Sequence, residues 1–200
     1  MASSEEVLTR NVISLLQNSA GDESAWRAFL GIPLYRITHG HLEQVTDWSL
    51  LTIMPDSPPK SEEVVTQNLT EKKIEQKELP YPLQETDWDA RGMRPDITLE
   101  TPEVYATMEI KGEGGHFHGA GQPLLFARYL VLTPPGNRRE RKRASLLAAP
   151  MKFFTSHRFN IWAWEAWQLE FRRLQEKDKN FYWGIILAED VEMAINTLRS

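Results

Sequence analysis

Arg94-Pro95-Asp96-Ile97, followed by Glu109-Ile110-Lys111, is the stretch whose residue types and spacing could do chemistry. An aspartate at the entry of one strand and an E-x-K on the next supply two carboxylates and an ammonium. Strand side chains alternate faces, so parity tells which of these groups can meet. Ile97 and Leu99 are apolar, which places Asp96 with Thr98 on the opposite face. On the following strand Val104, Ala106, Met108 and Ile110 make one apolar face and leave Tyr105, Thr107, Glu109 and Lys111 on the other. If both apolar sets enter one core, the register must bring Asp96 to the side of Glu109 and Lys111. A tight turn at Thr101-Pro102-Glu103 sets Asp96 directly across from Glu109.

Two facing carboxylates and the Ile110 backbone carbonyl are hard oxygen donors of the kind that Mg2+ or Mn2+ takes. Such a cation polarises a scissile phosphate, lowers the pKa of water and shields developing charge. Lys111 suits holding the attacking water or stabilising charge on the phosphate oxygens. Without a cation the two carboxylates repel, and one tends to hold a proton. The same residues also have a plain account. Pro-Asp is common at turns and strand entries, and a polar strand face opposite an apolar one is what a half-solvated sheet shows.

At these residues the chain resembles the PD-(D/E)xK nuclease superfamily, which has the restriction-endonuclease-like fold. The resemblance rests on Pro95-Asp96, on Glu109 to Lys111 and on the following helix and strands, within residues 61–188. It implies a Mg2+- or Mn2+-dependent phosphodiesterase, foremost a DNA endonuclease. Asp96, Glu109 and the Ile110 carbonyl would be its metal ligands, and Lys111 its catalytic lysine. Members often add an acid from the helix before the first strand. Glu62 is the candidate, because Val65 and Leu69 share its side of a helix opened by Ser61, and Glu63 is second. RecB-like exonuclease members carry Q-x-x-x-Y on the next helix. Here Gln122 is followed at the fourth position by Phe126, with Tyr129 a turn later. Gln122 is therefore a candidate substrate or metal-water contact, or simply the residue that starts the helix. His39 and His41 upstream of the Pro-Asp pair are similar to the arrangement in viral cap-snatching endonucleases, which makes RNA the alternative substrate. A nuclease-like fold that only binds nucleic acid or protein is a third reading, to which the net charge of −5 and the seven tryptophans point. Cutting both strands of a duplex would call for a homodimer.

Two loops surround this motif in the sequence. Arg138, Arg139, Arg141, Lys142 and Arg143 form the run NRRERKR, either a lip that binds the phosphate backbone or a solvated loop. The Gly-rich stretch 112–121 contains His116 and His118 and can approach a phosphate closely.

The rest of the chain must position these groups. At 200 residues it is long enough to bury a core, and the expected organisation is one compact unit. Residues 1–60 would be an N-terminal helical and strand extension packed on a nuclease-like core at 61–200. Cysteine is absent, so thiol nucleophiles, disulfides and zinc–thiolate sites are excluded. Net charge −5 argues against coating nucleic acid through bulk charge. There is no apolar run of transmembrane length and no secretory pattern in MASSEEVLTR, so a cytoplasmic protein is expected, with the nucleus as alternative.

Ser3 and Glu6 read as a capping box opening a helix over 3–18, and a second helix runs from Glu23 to Leu30. Asp47 to Met54 reads as a strand, and Ser61 as the start of a helix that fades near Leu79-Pro80. Strands follow at 94–100 and 104–111, then a helix from Gln122-Pro123 and a strand from Ala144 to Ala149. Trp164, Trp167, Phe171 and Leu174 mark the buried face of a helix. A strand from Tyr182 to Ala188 and a last helix at Glu189-Asp190 complete the pattern. The sum is an α/β fold: a restriction-endonuclease-like mixed central sheet flanked by helices, with an N-terminal helical extension.

Overall fold

The computed structural model describes residues 3–17, 23–66, 95–115, 122–132, 140–156 and 159–200. Its first helix, α1 (Ser4–Gln17), is opened by the expected capping box. Ser3 N–H donates to Glu6 Oε2 at 2.8 Å, and Glu6 N–H donates to Ser3 Oγ at 3.2 Å. Leu8, Val12, Leu15 and Leu16 then fall on one buried stripe. Helix α2 (Glu23–Leu30) follows, and a hairpin of β1 (Tyr35–Thr38) and β2 (His41–Gln44) comes next. Its turn is His39-Gly40, with φ of 51° and 79°, the doubly positive geometry that matches the twist of paired strands.

The strand expected over Asp47 to Met54 is instead the short helix α3 (Leu50–Ile53). Ser49 and Thr52 close a local bond at its start, and Leu50 and Ile53 are buried, which helical spacing allows. The helix expected from Ser61 is a single 3-10 turn, Ser61–Glu63, that runs straight into β3 (Val64–Thr66). A β-branched pair beside an open sheet edge joins the ladder in preference to helix. The remainder of that expected helix lies outside the described residues.

The motif strands are β4 (Ile97–Glu100) and β5 (Val104–Ile110). Thr101 makes the turn between them tight: its N–H donates to the Val104 carbonyl at 2.9 Å, and its Oγ1 accepts from Val104 N–H at 3.0 Å. Then come α4 (Gln122–Leu132), β6 (Lys142–Ala149), α5 (Met151–Phe154), α6 (Ile161–Lys177), β7 (Phe181–Leu187) and α7 (Ala188–Arg199). The seven strands form one mixed sheet in the order β2-β1-β7-β6-β5-β4-β3. β5, β6 and β7 are parallel, joined by helical crossovers, and the flanking pairs are antiparallel.

Two apolar layers cover the sheet. Leu8, Val12, Phe29, Leu50 and Val191 pack on one side against Ile97, Val104, Met108 and Ile110. Phe126, Leu130, Phe153, Trp164 and Phe171 pack on the other against Tyr105, Leu147 and Trp183. Each fully buried side chain of this size contributes about 1.5–3 kcal/mol of burial free energy. Every residue of β5 is buried, so its polar face is not the open side of a half-solvated sheet. Glu109 sits beneath α4 and α6, and Lys111 is buried beside it. Among the described residues no helix is long and apolar enough to cross a membrane.

Candidate active site

The β4–β5 ladder pairs Ile97 with Met108 and Leu99 with Ala106, and one further step in that register sets Asp96 opposite Glu109. Asp96 is half-buried, and its Oδ2 accepts the Ile110 N–H at 2.7 Å. Glu109 and Lys111 are each 4% exposed, and Lys111 Nζ lies 2.5 Å from Glu109 Oε1. Glu109 Oε2 is buried without a hydrogen-bond partner. Burial, with the neighbouring Asp96 carboxylate second, pushes the Glu109 carboxyl up to about 8 against the opposing pull of Lys111. Glu5 adds a smaller upward push.

Glu5 reaches this site because the end of β5 docks on the start of α1. Gly112 N–H donates to Glu5 Oε2 at 3.4 Å, and Glu113 N–H donates to Ser4 Oγ at 3.1 Å. The approach requires glycine: a Cβ on residue 112 would stand 2.5 Å from Ser4 Oγ and 3.0 Å from Glu5 N. Sequence reasoning missed Glu5, which in the sequence reads as a favourable charge in the first helical turn. Only the contact across 107 residues reveals its second role.

Glu62, the helix acid picked from sequence, is not at the site. β3 runs antiparallel to β4 with Val64 beside Leu99 and Thr66 beside Ile97, so Glu62 lies beyond the far end of β4 from Asp96. The strand that replaced the expected helix carried it there.

The basic run is also elsewhere. β6 is parallel to β5, pairing Lys142 with Val104 and Ala148 with Ile110. Lys142 and Arg143 therefore flank the start of β5, roughly 13–17 Å of strand away from Glu109. They are engaged internally. Arg143 is 2% exposed, donates to the Leu130 carbonyl at 3.2 Å and pairs with Asp178. Lys142 Nζ donates to the Thr52 carbonyl at 2.7 Å, and Arg141 pairs with Glu100 at 3.4 Å. Arg138, Arg139, His116 and His118 lie outside the described residues, as does the side chain of Gln122, whose backbone opens α4. His39 and His41 belong to the β1–β2 hairpin, on the far side of β7 and β6 from β5.

The carboxyl ends of the parallel strands, where open α/β sheets bind ligands, form a crevice of about 450 Å3. Glu113 follows β5, Pro150 follows β6 and Glu189 follows β7 on its wall, and Ser4 and Val7 of α1 face them. Among the described residues no group of three or more histidine or acidic side chains is assembled closely enough to hold a metal ion. The donors present are the spare Glu109 oxygen, Asp96 and the Ile110 carbonyl, hard oxygens of the type that Mg2+ or Mn2+ takes. Comparison of the chain with protein-family models, with curated proteins and with solved structures gave no match.

Proposed function

We propose that the chain is a nuclease of the PD-(D/E)xK kind that hydrolyses phosphodiester bonds, foremost in DNA, with Mg2+ or Mn2+. The observation that carries this reading is Glu109: a carboxylate inside the sheet, with one oxygen on Lys111, the other spare, and Asp96 across the ladder. Burying a carboxylate with an unsatisfied oxygen costs several kcal/mol, which an apolar residue in the same strand would avoid. When bound, the divalent cation supplies polarisation of the phosphate and neutralisation of its charge.

Asp96, Glu109 and the Ile110 carbonyl would hold that cation, and the Ile110 N–H already orients Asp96. Glu5 adds negative field behind them. Lys111 Nζ, held by Glu109 Oε1, places positive charge at the end of β5 for the attacking water and a non-bridging phosphate oxygen. In the net step the water oxygen bonds to phosphorus, the bond to the leaving oxygen breaks, and that oxygen takes a proton. Purified protein should nick or cut DNA with Mn2+ and stop with EDTA. Undiminished cutting by both Asp96→Asn and Lys111→Ala would sink the assignment.

The acidic crevice wall and the inward use of Arg141, Lys142 and Arg143 favour a second reading, in which the fold binds a partner and does not cleave. Calorimetry showing no Mn2+ uptake, together with a stable partner, would select it. Parallel assays on single-stranded RNA and on DNA decide between the two substrates, and sedimentation of the active species decides whether it is a homodimer.

A further inference from the structure

Beneath α4 and α6, next to Glu109, lies a cavity of about 10 Å3 lined by Glu109, Ser145, Trp183, Phe126 and Phe171. That is room for about one water molecule. The lining includes Glu109 and Trp183, whose Oε2 and Nε1 are buried with no hydrogen-bond partner. The strand register explains their convergence. Thr107 pairs with Ser145 and Ser145 pairs with Trp183, forming one row across three strands. Glu109 is the next residue on the same face of β5.

Trp183 is held firmly in this row. The Arg36 guanidinium lies 3.9 Å from its ring centroid, and the Phe171 ring packs at 5.1 Å. A wholly apolar cavity stays dry, but this one offers a carboxylate oxygen, an indole N–H and a hydroxyl, the two to four partners that a buried water needs.

We propose that the cavity holds one ordered water that accepts from Trp183 Nε1–H and donates to Glu109 Oε2, with Ser145 Oγ as its third partner. A carboxylate oxygen has two lone pairs, so this bond leaves Oε2 able to face a cation as well. Trp183 and Ser145 are then positioning residues that fix the Glu109 carboxylate from behind. Their positioning role rests on the metal-binding reading of Glu109; the water does not.

A crystal structure of the full chain at a resolution showing ordered solvent tests the water directly. Density for a single water within hydrogen-bond distance of Glu109 Oε2 and Trp183 Nε1 is the expected result. A dry cavity, or an indole N–H bonded elsewhere, overturns the proposal. Trp183→Phe keeps a ring but removes the donor, and Ser145→Val fills the space. Each should lose the water and bind Mn2+ about tenfold more weakly by calorimetry. Folded variants that lose the water yet bind Mn2+ as the parent does overturn the positioning role. A parent chain that takes up no Mn2+ removes the metal reading, and the density still decides the water.

Discussion

Asp96 Oδ2 stands 2.7 Å from Ile110 N, so one candidate ligand is fixed by the backbone of the residue whose carbonyl is another. Asp96→Asn keeps an acceptor for that N–H and loses the charge, whereas Asp96→Ala loses both. Both variants should abolish cleavage, but only the alanine should cost stability, about 1–3 kcal/mol by urea unfolding. Equal destabilisation by the two would mean that the bond is not what holds the strand entry.

The Glu109 carboxyl gives the metal-free protein a pH signature. Burial and Asp96 raise it to about 8 in the folded chain, from 4.5 for an ordinary glutamate. Between those values the folded chain keeps a proton that the unfolded chain has released. The stabilising contribution is complete below about pH 4.5 and is lost as pH rises through about 8. Urea midpoints of the parent should therefore fall between about pH 5.5 and about pH 8.5 relative to those of Glu109→Gln. Saturating Mn2+ should flatten or reverse the difference, because a ligating carboxylate is ionised.

Glu5 and Glu62 separate the observed acid from the one chosen by sequence. Glu5→Gln should weaken Mn2+ binding about threefold or more without loss of fold. Glu62→Gln, at the far end of β4, should leave binding as it was. Calorimetry on the two variants side by side reads the difference.

Gly112→Ala would drive a methyl to within 2.5 Å of Ser4 Oγ. The start of α1 must then shift, at a cost of about 1–3 kcal/mol for an overpacked contact. Thermal unfolding should report the loss, and Mn2+ affinity should fall with it because Glu5 moves along with Ser4.

Arg143 is a structural cation. Arg143→Ala should destabilise by about 3 kcal/mol, since Asp178 and the Leu130 carbonyl lose their partner. The salt dependence of any nucleic-acid binding should not change, because no phosphate contact is lost. A shallower salt slope in a folded variant would return Arg143 to the binding surface.

Side-chain alternation was enough to read the β4–β5 pair, because period two is a local property and Thr101-Pro102-Glu103 admits one tight turn. The Ser3–Glu6 cap and the Trp164–Leu174 stripe were legible for the same reason. What sequence could not show was non-local. The NRRERKR run looks like a loop until the parallel pairing of Lys142 with Val104 puts part of it in a strand, at the wrong end of the sheet. Ser61 carries a good helix-start signal, but an available edge beside β4 turned Val64–Thr66 into strand and took Glu62 away from Asp96. The β1–β2 hairpin was missed because its turn is His39-Gly40, a weaker signal than Asn-Gly for the same geometry. Burial of the polar face of β5 depends on α4 and α6, far along the chain, and no pattern within β5 announces it.

The ladder between Tyr35 and Ile185 has a consequence for how the protein is made. An emerging chain carries the β1–β2 hairpin undocked until β7 (Phe181–Leu187), its partner in the sheet, has left the ribosome. β7 also brings Trp183, which closes the face over Glu109. Nascent fragments ending before Phe181 would hold the motif strands with that wall still open, exposing aromatic surface to chaperones and to one another.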